Sequence, residues 1–371
     1  MPTILHIVPK LPPDVCGVGD YAMVIGQRMS EIDPSVRCDY LAIGRKAFTS
    51  SSGRPSPELF WQRIEERCMG TSVDKPSIVL HYSGYGYSPD GAPAWLAESL
   101  DCRSPWARDV STVTFFHELY ANGWPWQRVY WKSSLQRRIA TVIARASDSI
   151  LTNRKESATW LERATNRPIG TIKHLPVPSN IGEPSIIPAY FARPLQAVIF
   201  GNARHKARLM TGHSATSIAA ICNKIGITRI VNIGSRIEID KKKFAHSSIE
   251  VVHLGFLDSR EASDEFLRSR CGFFDYFPNS LSKSGSLAAM ASHGVAVIPS
   301  GRITQGLDAL LNCSHDPVLS SINESSSSSE YEKALAYRAE AALNWYRTHD
   351  TQTHAFAVNA EINNIGRLRK R

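Results

Sequence analysis

The sequence predicts an α/β protein built from two doubly wound domains, each a parallel sheet covered by helices on both faces. Three observations carry that prediction. Short β-branched runs alternate with longer stretches of helical period along most of the chain. The alternation stops in a proline-rich stretch and then restarts. The chain has 371 residues, 43% hydrophobic and 21% charged, which is enough for two ordinary globular cores.

The elements follow in order. Thr3–Val8 is the first predicted strand, and after a glycine-bearing loop Val18–Met29 has helical period. Strands are predicted at Val36–Ile43, Ser77–Tyr82, Val110–Phe116 and Ser149–Thr152, each followed by a stretch able to form a helix. Prolines 176, 178, 184, 188 and 194 read as a linker over 177–194 and end a first domain of 1–180. A second domain, 190–345, opens with strand Leu195–Phe200 and a loop at Gly201–Arg208. Strands at Thr228–Ile233, Ile249–His253, Cys271–Tyr276 and Val295–Pro299 follow. Ser325–Ser329 reads as a loop, Glu330–Arg347 as a helix, and 346–371 as a C-terminal helix with a basic tail that frays over Arg367–Arg371. Ligands of such sheets bind beyond the carboxyl ends of the strands, so two facing domains would hold the site in a cleft between them.

Charge and cysteine usage narrow the partners. A formal charge of +9 suits an anionic partner such as a nucleotide sugar, a phospholipid-linked acceptor or an anionic membrane surface. No zinc-finger spacing or RNP-type aromatic sequence favours nucleic acid. The 7 cysteines are scattered without a CxxC pair, against a disulfide framework or a zinc ribbon. The opening segment lacks a basic leader, its apolar stretch ends at Pro9, and no apolar run has membrane-spanning length; a cytoplasmic protein is expected. Trp124, Trp126, Tyr130 and Trp131 interleave with Lys132, Arg137 and Arg138, as in a peripheral contact with an anionic inner membrane face, an acceptor-side wall, or plain packing.

Four places can carry chemistry. Gly17 and Gly19 follow the first strand, where glycine permits close backbone approach and the next helix offers free N–H groups to an anion. Gly17-Val18-Gly19 lacks the third glycine of a dinucleotide fingerprint. His117 and Glu118 stand at the carboxyl end of a buried strand, the first able to donate to a sugar hydroxyl and the second to orient it; a satisfied turn histidine is the equal alternative. Arg204 and Lys206 lie in the cation-rich segment Gly201–Arg208, suited to a diphosphate. Lys283, Ser284, Gly285 and Ser286 open a small-residue helix that ends at Gly294, a phosphate cradle at a helix N-terminus.

These residues resemble a known family. Gly17-Val18-Gly19-Asp20-Tyr21-Ala22 after the first strand is similar to the start of the retaining GT-B glycosyltransferases of family 4 (group 1). Leu287-Ala288-Ala289-Met290-Ala291, then Gly294 and Val297-Ile298, is similar to that family's donor helix and following strand. The resemblance implies a GT-B fold and transfer of a sugar, of the hexosyl type, from a nucleoside diphosphate sugar, with retention; no Asp-rich metal motif appears, so the cations would replace a divalent ion, and no cofactor is expected. It implies that Gly17 and Gly19 approach the donor phosphates and that His117 contacts the transferred sugar. Arg204 and Lys206 would hold the diphosphate, and the helix start at Ser284–Ser286 would hold phosphate or sugar. Leu254-Gly255-Phe256-Leu257 resembles the family's turn at the base, which assigns Gly255 and Phe256 to the nucleotide base. The family's two glutamates correspond here to Ser280 and Ala288, neither of which can bind ribose hydroxyls as a carboxylate does. The acceptor, saccharide, lipid-linked or other, is not specified. The alternatives are a non-catalytic GT-B-fold binding or scaffold protein and a nicotinamide-dependent oxidoreductase.

Overall fold

The computed structural model describes residues 3–14, 16–44, 56–69, 76–121, 126, 128–244, 248–313 and 327–369. Trp124 and part of the serine run lie outside them. The chain forms two compact units: Met1–Pro176 with Thr351–Arg371, and Val177–Asp350.

The first unit is a sheet of six parallel strands: β1 (Thr3–Val8), β2 (Arg37–Ala42), β3 (Ser77–Ser83), β4 (Thr112–Glu118), β5 (Ser149–Thr152) and β6 (Lys173–His174). Their spatial order is β2-β1-β3-β4-β5-β6. Alternate residues of β1 point to opposite faces. Leu5 and Ile7 join the core that holds Trp61, Trp95 and Phe116, while Ile4 joins the core that holds Ile25, Met29 and Phe115. Burial on both faces explains why the strands read as continuous apolar runs. The second unit has five parallel strands: β7 (Gln196–Ile199), β8 (Arg229–Ile233), β9 (Glu250–Gly255), β10 (Cys271–Phe274) and β11 (Ala296–Pro299). Their order is β11-β10-β7-β8-β9, with Ala197 and Ile199 facing one core and Val198 the other.

Three local readings change. Gly201–Arg208, expected as a loop, contains the helix Ala203–Leu209, whose first turn is capped by Asn202 accepting from the Arg204 N–H at 2.9 Å. The proline-rich stretch is part of the second unit. Val177 N–H donates to the Ser282 carbonyl (2.9 Å), Ser179 N–H to the Tyr346 hydroxyl (3.0 Å), and the buried Arg193 to the carbonyls of Ser269 (2.9 Å) and His293 (2.8 Å). Prolines remove donors, and these side chains satisfy the groups that remain. The C-terminal helix, Thr351–Arg369, returns to the first unit. Ala355, Val358 and Ile365 pack beside Ile25 and Met29, and Glu361 accepts from Ser149 Oγ at 2.7 Å and pairs with Lys173 at 3.0 Å. The helix extends through Arg369, and the end of the basic tail that was expected to fray lies outside the described residues. Among the described residues no helix is long and apolar enough to cross a membrane.

Candidate functional site

Each sheet changes its direction of growth once, and that point lies beyond the carboxyl ends of two neighbouring strands. In the first unit it falls between β1 and β3, and in the second between β7 and β10.

In the first unit the helix Gly17–Ile32 begins against the loop after β1. A side chain at Gly19 would place its Cβ 2.2 Å from the Lys10 carbonyl oxygen, so glycine there serves the helix–loop contact; Gly17 is exposed with nothing within 4 Å of the same position. One turn on, Tyr21 turns into the sheet, its ring edge 4.7 Å from His117 and 5.5 Å from His81, centroid to centroid. His117, the residue before the last of β4, is buried, with Nε2 3.2 Å from His81 Nδ1 and its carbonyl accepting from Asn153 Nδ2 at 3.2 Å. Glu118 is exposed beside it and accepts from Ser83 Oγ at 3.1 Å. Behind His81 lies His6, with Nδ1 2.9 Å from His81 Nε2. Burial lowers the His6 pKa to about 4 and takes His81 well below its ordinary value, helped by its two imidazole neighbours. Both rings are neutral near pH 7.

In the second unit two loops distant in sequence meet. Gly201, at φ +123°, follows β7, and a Cβ there would stand 2.5 Å from Ser286 Oγ in the first turn of the helix Gly285–Ser292. Glycine is required by both the backbone angle and the contact. Ser284 caps that helix, accepting from the Leu287 N–H at 3.2 Å, and Gly285 faces Asn180. Lys283 closes the preceding 3-10 turn, Pro278–Lys283. Arg204 is exposed on the neighbouring helix. Lys206 turns inward: it is 1% exposed and Nζ donates to the carbonyls of Ile233 (2.7 Å) and Ser235 (2.9 Å). Burial lowers its pKa to about 8. Lys206 therefore shapes the turn after β8. Gly255 takes φ +74° and accepts from Gly234 N–H at 2.6 Å, and Phe256 beside it is 85% exposed.

Between these loops, directly after β10, stands Asp275, a carboxylate at the end of the apolar run Cys271–Phe274. Its Oδ2 accepts from Arg208 Nε at 2.8 Å and lies 3.2 Å from His205 Nδ1. Its Oδ1 accepts from Ser300 Oγ at 2.6 Å and Arg302 at 3.1 Å. Burial alone would raise its pKa; the hydrogen bonds from Ser300, Arg208, Arg302 and His205 outweigh burial and leave it below the ordinary carboxylate value. The Asp275 side chain is 2% exposed, while those of Arg208 and Arg302 are 42% and 41% exposed. A buried anion thus holds two guanidinium groups at the rim, where their remaining N–H donors suit an anion.

Gly17, Gly19, His117 and Glu118 thus belong to one unit, and Arg204, Lys206, Lys283, Ser284, Gly285, Ser286, Gly255 and Phe256 to the other. Within the second unit Gly201 and Ser286 come together, whereas Gly255 and Phe256 lie two strands away from β7. Sequence reasoning missed Asp275, Arg302, His6 and His81. Asp275 bears the signal that singled out His117, a polar residue ending a buried strand, and His6 and His81 interrupt apolar strands. Arg208 sits in the cation-rich segment already noted, and Arg302 has no sequence signal.

No protein-family model matches this sequence, and no curated protein sequence matches it. Solved structures do share its fold. Anabaena Alr3699/HepE, crystallised with UDP and glucose, is similar at a TM-score of 0.55 with 10% identity over 97% of this chain and 99% of that one. Phytolacca americana UGT2, with UDP-2-fluoro-glucose and pterostilbene, is similar at 0.50 with 9% identity over 97% and 98%. AviGT4, a glycosyltransferase involved in avilamycin A biosynthesis, is similar at 0.49 with 13% identity over 98% of each chain. The likeness is one of fold: two Rossmann-like domains of the GT-B kind.

Proposed function

We propose that this protein is a glycosyltransferase that takes its sugar from a nucleoside diphosphate sugar. The observation that carries the reading is the pair Arg208 and Arg302, held by buried Asp275 at the switch point of a Rossmann-like sheet. A leaving diphosphate gathers negative charge as the glycosidic bond breaks, and fixed guanidinium groups stabilise that charge without reorganising. Arg204, Lys283 and the N-terminus of the Gly285–Ser292 helix add to the same field; in the first unit exposed Gly17 leaves room for a phosphate, and Gly19 acts by letting its helix start close against the Lys10 carbonyl. Lys206 contributes positive potential from below, through the turn it supports. These cations take the place of a divalent metal. Gly255 and Phe256 receive the base. His117 donates to the sugar, and Glu118 orients that contact.

The resemblance to family 4 favours retention and a hexosyl donor. The acceptor hydroxyl then attacks the anomeric carbon on the face the diphosphate leaves. The carbon–oxygen bond to the diphosphate breaks with its electron pair going to the diphosphate, and the acceptor proton follows it. The acceptor is a saccharide, lipid-linked or other hydroxyl. Exposed Trp126 and Trp131 beside Lys132 support peripheral contact with an anionic membrane surface for the second kind.

A second reading, nucleotide-sugar binding without transfer, is favoured by one observation. Ala288 and Ser280 stand where the family has glutamates, and Ala288 is completely buried in the packed face of its helix. The experiment that tests both is a thermal-shift screen against UDP-, GDP- and ADP-sugars with NADH as control, followed by product analysis with the donor found. A ligand at a hundred times its Kd stabilises by about 2.7 kcal/mol. A shift lost in Arg302→Ala and Arg208→Ala, with sugar released to an acceptor, supports transfer. A shift without any transfer or hydrolysis supports the binding reading, and no shift with any nucleotide sugar sinks both.

A further inference from the structure

Three histidines on adjacent strands of the first unit form a single file that goes beyond a contact for His117. His6, His81 and His117 lie on β1, β3 and β4. Neighbouring rings are 5.2 and 5.5 Å apart and nearly parallel, at 19° and 28°. The strand register produces this. His6 is level with Val79, two residues before His81, and His81 is level with Phe115, two residues before His117, so all three project from one face on a diagonal.

The links are His6 Nδ1 to His81 Nε2 at 2.9 Å and His81 Nδ1 to His117 Nε2 at 3.2 Å. A neutral imidazole carries one ring proton, and each link needs one donor and one acceptor. The file therefore has two coherent states, with the proton on every Nδ1 or on every Nε2. The far end chooses between them. His6 Nε2 is buried and has no hydrogen-bond partner among the described residues. Protons on Nε2 would leave His6 with a buried N–H lacking any acceptor, whereas protons on Nδ1 leave only a lone pair there. An orphaned buried donor is the rarer and costlier outcome.

Tyr21 does not compete for these nitrogens. His354 Nε2 donates to the Pro176 carbonyl at 2.8 Å, so His354 Nδ1 must accept, and the Tyr21 hydroxyl donates to it at 2.6 Å. The Tyr21 ring packs edge-on against His81 and His117 while its polar end is committed elsewhere.

We infer that His6 and His81 are positioning residues that fix the proton of His117 on Nδ1, so that His117 meets the donor sugar as a hydrogen-bond donor and not as an acceptor. The sugar contact rests on the proposed function; the tautomer does not.

The test uses the full chain labelled with [15N]histidine, read at pH 7.5 by two-bond proton–nitrogen correlation of the imidazole rings. The His117 signals are those lost in His117→Gln. The expected result is a pyrrole-type Nδ1 and a pyridine-type Nε2 for His117. In His81→Phe, which keeps a flat ring between its neighbours and removes both nitrogens, His117 shifts toward a mixture of tautomers. His6→Phe provides the same test should the first variant fail to fold, and the wild-type pattern is decisive without either. An Nε2–H pattern in the wild type, or a His117 pattern unchanged in both variants, overturns the inference. With the donor found above, His81→Phe should lower kcat/KM for transfer about tenfold, the equivalent of one hydrogen bond, with affinity for the free nucleotide unchanged. A moved tautomer with unchanged transfer overturns the sugar contact. The expected tautomer in a protein that binds no nucleotide sugar leaves the file standing and removes the functional reading.

Discussion

The two units bury polar groups in the same kind of sheet, within the strands of the first and just past a strand end in the second, and they do so in opposite electrical terms. Within β1 and β3 the first unit buries two neutral imidazoles, His6 and His81, linked to one another and on to His117, with no countercharge inside the file. Beyond β7, β10 and β11 the second buries a full charge, Asp275, and surrounds it with Arg208, Arg302, His205 and Ser300. The difference follows from supply. A buried ionised group persists only where several donors converge on it, and otherwise the group gives up its charge. Arg208 and Arg302 reach Asp275 from separate elements of the second unit, whereas the rings of Tyr40 and Tyr21 and the apolar core with Ile4 and Val79 pack on the face that His6 and His81 share. The first arrangement suits recognition of uncharged hydroxyls, the second recognition of an anion.

Acid is the strongest way to break the comparison, because each unit hides a histidine that resists protonation. His6 in the first and His293 in the second are both held at about 4 by burial. An unfolded histidine titrates near 6.5, so below that pH the unfolded chain binds protons that the folded chain refuses. Stability is therefore fully present above pH 6.5 and is lost as pH falls toward 4, by about 3 kcal/mol per histidine at the limit. Urea unfolding at pH 7.5, 6 and 5 checks this; a free energy that is flat across that range contradicts the neutral assignment.

A smaller effect separates the units. Asp275→Asn leaves two guanidinium groups facing each other and should destabilise the second unit by about 2 kcal/mol, less than for a fully buried pair because both arginines are half exposed. Screening softens the repulsion, so the deficit shrinks as salt is raised. Tyr21→Phe, in the first unit, removes the hydrogen bond to His354 at a cost of about 1 kcal/mol. No charge is involved, and that cost should not change with salt. Chemical denaturation of both variants at low and high ionic strength reads the contrast, and equal salt dependence would erase it.

Much of the fold was legible because period and punctuation are local. β1 and β5 begin and end where their apolar runs do. Reading failed where a local signal had a non-local answer. Asn202 is a good helix cap, yet the cations that follow it suggested a loop. Five prolines suggested a linker, but Arg193 and Tyr346 tie that stretch to the second unit. The C-terminal helix was evident as a helix, and its partner was not, because Ala355 and Val358 match any apolar face of suitable shape. At the site, Lys206 was legible as a cation, whereas its inward turn toward the Ile233 and Ser235 carbonyls depends on the position of β8.

By itself the sequence determined two parallel α/β sheets, the order of strands along the chain, and the presence of polar residues at strand ends, since side-chain period and turn chemistry act over a few residues. Only the tertiary structure decided which of those residues meet. Asp275 takes its partners from residues 205, 208, 300 and 302, and His6 finds His81 across 75 positions of sequence. Those meetings depend on the spatial order β11-β10-β7-β8-β9 and on the register of β1 with β3. Strand order and register are set by the packing of whole sheets, which no short stretch of sequence encodes.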